Sequence, residues 1–318
     1  MSGISRRRFL AASVAGCAAT TLAGSKKALA AGSFSGYPDG MGVLVDLTRC
    51  IGCRSCEAAC NKEQNLPDPD KPFDDMSVFD ETFHGGKQKR RPDEKAYTVV
   101  NRYDTESRSK PVYRKVQCNH CSEPACLSSC FVNAYTKTPE GAVVYNSKVC
   151  VGCRNCMIAC PFNIPGYSYS SAFDPVIKKC IFCHETRLKK GLPPACVEIC
   201  PQEALTFGKR KDLIKIGHQR IQTHPGRYVD HLYGEKELGG TSWMYLSSVP
   251  FDEVGFDPNP GNEPIINNVK DFLSTVPMVL AIWPAMFTGF HLLAKHKDGH
   301  GGHEHDVEEH HDEEGGAQ

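Results

Sequence analysis

Apolar and β-favouring residues occur in short runs along most of this chain, and one long apolar run lies near the C-terminus. The short runs have the composition of β-strands bounded by Gly, Pro and Asn. They are residues 43–46, 97–100, 112–115, 134–137, 142–145 and 204–207. Pro139 and Gly141 separate the fourth run from the fifth, so these two runs are predicted to form a hairpin.

The long apolar run covers residues 276–294. About 19 residues make roughly 28 Å of helix, close to the thickness of a bilayer core, so we predict a single transmembrane helix over residues 271–297. Pro277 and Pro284 are tolerable there if neighbouring segments satisfy the freed carbonyls, which favours packing against a membrane partner. Lys295 and Lys297 follow the run. The positive-inside rule therefore predicts a cytoplasmic tail and an exported main domain.

The first 30 residues have the layout of an export signal. Arg6, Arg7 and Arg8 precede Phe9, an Ala-rich stretch follows, and the segment ends in Ala28-Leu29-Ala30. The arginines directly before Phe9 resemble a twin-arginine signal; a Sec signal or a mitochondrial presequence are the alternatives. Cys17 follows Gly16 and also fits a lipoprotein cleavage site. Since either processing event sets it apart from the fold, Cys17 is excluded from the cysteine count.

Composition indicates that burial of apolar surface alone does not organise the chain. It has 17 cysteines, 28 glycines and 21 prolines, and its 37 Lys and Arg balance 37 Asp and Glu. A net charge of zero with mixed signs gives no indication of nucleic-acid binding. Without Cys17, the cysteines form four groups of four. The groups are Cys50, Cys53, Cys56 and Cys60; Cys118, Cys121, Cys126 and Cys130; Cys150, Cys153, Cys156 and Cys160; and Cys180, Cys183, Cys196 and Cys200.

The spacing within the groups is typical of paired 4Fe-4S clusters. Three closely spaced thiolates wrap one cluster, and the fourth, one helical turn later, points at a neighbouring cluster. Pro161 and Pro201 follow the last cysteines of groups three and four, as in bacterial ferredoxins, whereas Asn61 and Phe131 follow those of the other two groups. Zinc sites and a disulfide framework are the alternatives, but neither explains three close cysteines with a distant fourth.

The strand-like runs suggest how the groups share folds. Group two, the hairpin and group three make one di-cluster ferredoxin unit over residues 118–179. If residues 43–46 pair with residues 204–207, the two strands form the equivalent of this hairpin for groups one and four. We therefore predict an outer unit from residues 31–60 and 180–270, interrupted by the inner unit and by a 61–117 insertion.

We hypothesise that the last cysteine of each group binds the cluster held by the other group of its unit. This crossing gives the ligands of each cluster. Cluster 1 takes Cys50, Cys53, Cys56 and Cys200; cluster 2 takes Cys180, Cys183, Cys196 and Cys60; cluster 3 takes Cys118, Cys121, Cys126 and Cys160; cluster 4 takes Cys150, Cys153, Cys156 and Cys130.

Two segments are predicted to be solvated. The 61–117 insertion is rich in Asp, Pro and Lys and includes the basic run 87–91, so we expect a solvated loop, with docking onto a partner as the alternative. The tail over residues 298–318 is rich in His and acids and is expected to be disordered.

The cysteine order over residues 41–208 resembles the iron-sulfur subunits of DMSO reductase, formate dehydrogenase-N and nitrite reductase. Residues 231–237 with 239–241, the export signal, the single C-terminal helix and the His-rich tail are most similar to the ferredoxin-type subunits of membrane-bound hydrogenase-2. The resemblance implies an α+β fold with two bacterial-type di-cluster ferredoxin units, one inserted in the other, plus a single C-terminal transmembrane helix.

The resemblance also implies a function. Four 4Fe-4S clusters would relay electrons from the small and large subunits of a periplasmic [NiFe] hydrogenase to a multi-pass, quinone-reactive membrane subunit. The chain would be anchored on the periplasmic side of the inner membrane, in contact with lipid. The sequence presents no nucleophile, general base or phosphate loop, so an electron conductor is expected rather than an enzyme. The alternative is the iron-sulfur subunit of a molybdenum oxidoreductase or a multihaem complex.

Overall fold

The computed structural model describes residue 37 and residues 39–81, 89–169 and 176–298. The predicted signal at residues 1–30, Cys17, part of the basic run and the tail beyond residue 298 lie outside the described residues. The chain divides into two compact units, Met1–Asn262 and Glu263–Gln318. The predicted inner unit, residues 118–179, falls within the first, and so does the predicted outer unit except for its residues 263–270.

Short strands and helices alternate in the first unit, which is a mixed α and β structure. The strands are β1 Met41–Asp46, β2 Thr98–Thr105, β3 Arg108–Gln117, β4 Tyr135–Lys137, β5 Val143–Tyr145, β6 Gly166–Tyr167, β7 Ile177–Lys178, β8 Leu205–Lys209 and β9 Trp243–Leu246. The α-helices among the described residues are α1 Ser55–Gln64, α2 Ala125–Ser128, α3 Asn155–Ala159, α4 Ala195–Glu198, α5 Arg210–Thr223 and α6 Asn267–Asp298. Short 3-10 turns lie at Met76–Asp80, Ser147–Val149, Leu188–Lys190, Glu237–Gly239 and Asp252–Val254.

The central sheet has the order β8-β1-β9. Strand β1 pairs antiparallel with β8, with Val45 opposite Leu205, so the predicted pairing of these two runs is confirmed. On its other edge β1 pairs in parallel with β9. Val43 and Leu44 are fully buried. Because neighbouring side chains point to opposite faces of a strand, both faces of β1 are covered.

Two antiparallel hairpins complete the predicted strands. Strands β4 and β5 pair with Tyr135 opposite Tyr145, as the turn at Pro139 and Gly141 predicts. Strands β2 and β3 form a hairpin that is longer than the two predicted runs. The prediction of a solvated insertion is wrong for this part of residues 61–117, because Val99, Val100 and Val112 are buried in the first unit.

The segment after the last cysteine group supplies much of the hydrophobic core, which the sequence analysis did not predict. Trp243 and Tyr245 of β9 are buried and pack in one cluster with Val43, Phe182 and Phe256. Arg114 of β3 lies 3.4 Å from the centre of the Phe256 ring. Residues 208–262 therefore supply part of the core that packs against the cysteine-containing segments.

The cysteine groups repeat the same backbone turns. Gly52 and Gly152, two residues after the first cysteine of groups one and three, have φ of 73° and 70°. Arg54 and Arg154, two residues later, are also left-handed. These turns lie between the closely spaced cysteines of groups one and three, and a helix follows each of them.

The second unit contains helix α6, Asn267–Asp298, which begins before the predicted residue 271. Its segment Thr275–Leu292 has a mean hydropathy of 1.4 and is long and apolar enough to cross a membrane. Large apolar side chains such as Leu280 and Phe287 are exposed along it. Pro277 and Pro284 lie inside the helix without ending it. The predicted C-terminal apolar helix is present, and it is consistent with anchoring in a membrane.

Candidate metal centres

One cleft lies between β1, the loop before α1 and the end of group four. Strand β8 pairs with β1 and begins five residues after Cys200, so the sheet carries that cysteine to the loop that holds group one. Cysteines from these two distant groups therefore line the same cleft. They are Cys50, Cys53, Cys56 and Cys200.

A second cleft with the same arrangement lies within residues 118–179, the predicted inner unit. It lies between the start of group two and the end of group three, with Ala125 and Ile164 among its apolar lining. Again three cysteines of one group meet the last cysteine of another. They are Cys118, Cys121, Cys126 and Cys160.

The remaining cysteines also have neighbours from two groups. Burial raises the pKa of Cys60 well above its ordinary value, and the charges that raise it further belong to Cys180, Cys196 and Cys183. Burial likewise raises the pKa of Cys156, with further increases from its neighbours. Those neighbours are Cys150, Cys153 and Cys130. Each set joins three cysteines of one group with the last cysteine of another.

The chemistry of these thiols suits a multinuclear iron site. Burial raises the pKa of Cys50 to about 11 and that of Cys126 to about 12, so their thiolates require nearby positive charge. Iron ions of a bound cluster would supply that charge. The buried Tyr135 hydroxyl finds no oxygen or nitrogen partner among the described residues and lies beside Cys156. A cluster-bound thiolate of Cys156 would accept a hydrogen bond from this hydroxyl.

The geometry differs from that of a zinc site or of paired disulfides. In the described ranges no three His, Cys, Asp or Glu side chains converge as one metal ion requires. A tetrahedral zinc ion would need four ligands within about 2.3 Å of one point. The sixteen cysteines of the four groups are all free thiols, and eight of them line the two clefts. Four thiols around a cleft suit an inorganic core that is larger than a single ion.

Buried lysines near these thiols were missed by the sequence analysis. Lys115 of β3 is only 3% exposed. Its ammonium donates to Thr98 Oγ1 at 2.8 Å and to Gln117 Oε1 at 3.1 Å. Burial alone lowers the pKa of Lys115, but four nearby thiolates outweigh burial and raise the pKa above its ordinary value. They are Cys196, Cys56, Cys180 and Cys60.

Two more buried or largely buried lysines lie within residues 118–179. The Lys179 ammonium donates to the carbonyls of Val143 and Cys180. The Lys137 ammonium donates to the carbonyls of His120 and Gly141, and burial lowers its pKa to about 8 against the opposing effect of nearby thiolates. Charged residues are ordinarily expected to face solvent, so no pattern in the sequence indicated the burial of these lysines.

His120 is a further buried polar residue beside the thiols. It lies between Cys118 and Cys121 and is fully buried. Its Nε2 atom is 3.5 Å from the Sγ of Cys180. Burial and then the charges of three lysines lower the pKa of His120 well below its ordinary value, so the ring is neutral.

Comparisons with known proteins agree with these chemical features. Residues 110–210 match the model of the 4Fe-4S dicluster domain family. The chain is 33% identical to the hydrogenase-2 operon protein HybA of Escherichia coli O157:H7, over 79% of this chain and 83% of that protein. It is 30% identical to the iron-sulfur subunit of the nitrate-inducible formate dehydrogenase of Escherichia coli K12, with the same two shares. A protein of Nitratidesulfovibrio vulgaris is 53% identical over 92% of this chain and 78% of its own length.

Proposed function

The chain belongs to the family of HybA-like, ferredoxin-type iron-sulfur subunits, and from this premise we propose that it relays electrons through four 4Fe-4S clusters. Its relatives are electron-transfer subunits and not the catalytic subunits of their complexes. Bound clusters would supply one-electron carriers. The protein would hold them in place, insulate them from water and set their potentials.

The proposed ligand sets are the four crossed sets of the sequence analysis. The observation that carries the proposal is the meeting of cysteines from two distant groups around one cleft. It recurs at the cleft of Cys50 and Cys200 and at the cleft of Cys121 and Cys160. The two proposed di-cluster units, one inserted in the other, follow from this crossing together with the β1–β8 pairing.

Cluster 4 is the proposed cluster with an exposed ligand. Among the sixteen cysteines of the four groups, Cys153 is the exposed one. Apolar side chains near it in the sequence are also exposed, namely Val151 at 56% and Ile158 at 84%. A thiolate ligand in contact with water beside such side chains favours electron exchange with a docked partner at cluster 4.

We further propose that the electron donor is a periplasmic [NiFe] hydrogenase and the acceptor a quinone-reactive membrane subunit. The similarity to HybA and the segment 231–241 support this assignment. The nearly equal identity to a formate dehydrogenase subunit supports the second candidate, the iron-sulfur subunit of a molybdenum enzyme. Helix α6 would anchor the chain, with the described first unit on the periplasmic side after twin-arginine export.

Two measurements test the proposal. Four clusters require about 16 iron and about 16 sulfide per purified chain. Values near zero would contradict the cluster proposal, and values near half of those expected would contradict the count of four.

A mild-detergent pull-down from native membranes, followed by metal analysis, tests the identity of the partner. Nickel with hydrogen-dependent quinone reduction supports the hydrogenase, whereas molybdenum without nickel supports the second candidate.

A further inference from the structure

His120 lies where the two proposed ferredoxin units meet. In sequence it belongs to group two, between two proposed ligands of cluster 3, Cys118 and Cys121. Its imidazole nevertheless faces Cys180 of group four, a proposed ligand of cluster 2, with Nε2 at 3.5 Å from Sγ. The side chain of His120 therefore contacts a proposed ligand of one unit, while its neighbours in sequence are proposed ligands of the other unit.

The hydrogen bonds fix which nitrogen of the ring carries the proton. The backbone N–H of Val143 donates to Nδ1 of His120 at 2.8 Å. A nitrogen that accepts a hydrogen bond carries no proton, so the proton of the neutral ring is on Nε2. That N–H is directed at the Cys180 sulfur and is the donor of the contact.

The ring is also held rigidly. It stacks on Phe182 with the centroids 4.9 Å apart and the planes 19° from parallel. The His120 carbonyl accepts from the ammonium of Lys137 at 2.9 Å and from the Ser242 hydroxyl at 3.0 Å. Phe182 occupies in group four the position that His120 occupies in group two, and both have positive φ. The stack thus joins equivalent positions of the two units.

We propose that His120 is a positioning residue that raises the reduction potential of the cluster bound by Cys180 and links it to the neighbouring unit. The inference rests on the proposed function, since it requires clusters at both sites. Reduction adds negative charge to the cluster and its thiolates, so a fixed N–H donor stabilises the reduced form more than the oxidised form. Hydrogen bonds to the sulfurs are among the features that set cluster potentials.

Two substitutions separate the donor from the rest of the side chain. In His120→Asn, the amide oxygen replaces Nδ1 as acceptor for Val143, and Asn tolerates positive φ, but no donor reaches Cys180. In His120→Gln, the amide nitrogen replaces Nε2 as donor to Cys180. We expect His120→Asn to shift one midpoint potential to a more negative value and to leave the other three unchanged. We expect His120→Gln to retain a value nearer that of the wild type.

The measurement is a redox titration followed by electron paramagnetic resonance on the full chain in its native complex. The signal shifted by His120→Asn should be the signal that Cys180→Ser removes or alters. Unchanged midpoints in His120→Asn, equal shifts of all four midpoints, or loss of iron from the variant would each overturn the role of His120. Iron and sulfide are measured on the same wild-type samples. A wild type without clusters contradicts the proposed function itself, whereas four clusters that are insensitive to His120→Asn contradict only this inference.

Discussion

At the level of single residues, the cysteines and the polar side chains around them are held in place by different kinds of contact. Cysteine spacing is a local property of the sequence, and it is maintained by local turns such as the one at Gly52. Lys115 and His120 are buried because β9 and the segments before it fold over them, and this depends on contacts between distant residues. A charged residue is ordinarily expected to be exposed, so sequence reasoning placed no function on Lys115.

Gly52 offers a test of how tightly group one is packed. It has φ of 73°, and a Cβ there would lie 2.4 Å from the Tyr113 ring. Gly52→Ala should therefore add a steric overlap of about 1–3 kcal/mol to the cost of a left-handed alanine, which is about 1–2 kcal/mol. We expect a lower temperature for loss of the iron-sulfur absorbance and reduced iron content in the purified protein.

Gly191→Ala is the matched control for this substitution. Gly191 has nearly the same φ, 71°, but a Cβ there would meet nothing within 4 Å. Gly191→Ala should therefore show only the cost of the left-handed backbone. That cost lowers the melting temperature by about 2–4 °C per kcal/mol. Equal effects of the two substitutions would show that contact with Tyr113 does not constrain the group-one turn.

At the level of elements, flanking chemistry decided which strands could be predicted. Strands β1 and β8 stand beside cysteine groups, and the need to pair those groups indicated that the strands pair too. Strand β9 has no such neighbour, and its parallel pairing joins residues 43–46 to residues 243–246. The strands at residues 97–100 and 112–115 could be predicted from their β-favouring residues, but their burial could not, because the average composition of residues 61–117 is polar.

Glu57 connects helix α1 to the β2–β3 hairpin and tests how much that connection contributes. It is 4% exposed, pairs with Arg54 and Arg90 at 3.1 Å each, and accepts from the backbone N–H of Val100 at 2.6 Å. Glu57→Gln leaves the buried guanidinium of Arg54 and the partly buried guanidinium of Arg90 without this countercharge, so we expect a loss of about 3 kcal/mol in the free energy of unfolding. Denaturant unfolding monitored by the iron-sulfur absorbance measures it.

An exposed ion pair provides the control for Glu57→Gln. Glu81 pairs with Lys71 at 2.7 Å, with both side chains more than a third exposed. Glu81→Gln should lower the free energy of unfolding much less than Glu57→Gln, because water screens the exposed pair. A similar loss in the two variants would mean that burial adds nothing to the Glu57 network.

Helix α6 is tested by placing a charge on its apolar surface. Leu280 is 69% exposed within the apolar segment Thr275–Leu292. If this segment spans a bilayer, Leu280→Arg costs about 2.5–3.5 kcal/mol of insertion free energy, and the protein should appear in the soluble fraction after alkaline extraction of membranes. Leu280→Ile is the control and should remain with the membranes. Retention of both variants alike, in cells without the partner subunits, would argue against a spanning helix.

At the level of the whole molecule, the proposed crossing of cysteine groups makes a prediction that local spacing alone does not. If each group held its own cluster, Cys60 would share a cluster with Cys50. The pKa of Cys60 is instead raised, after burial, by Cys180, Cys196 and Cys183, while Cys200 lies in the cleft of Cys50. The two arrangements therefore differ in which two cysteine variants should affect the same cluster.

Cys60→Ser and Cys180→Ser should accordingly alter the same one of four paramagnetic signals, whereas Cys50→Ser and Cys200→Ser should alter another. Serine keeps an oxygen ligand of similar size, so the fold is least disturbed, and the changed signal identifies the cluster. Redox titration of each variant in its complex provides the measurement. If Cys60→Ser and Cys50→Ser altered the same signal, the groups would not cross, and the pairing of β1 with β8 would serve only the packing of the fold. Agreement within the crossed pairs would instead show that two segments distant in sequence build each site together, because no single group could complete its cluster alone.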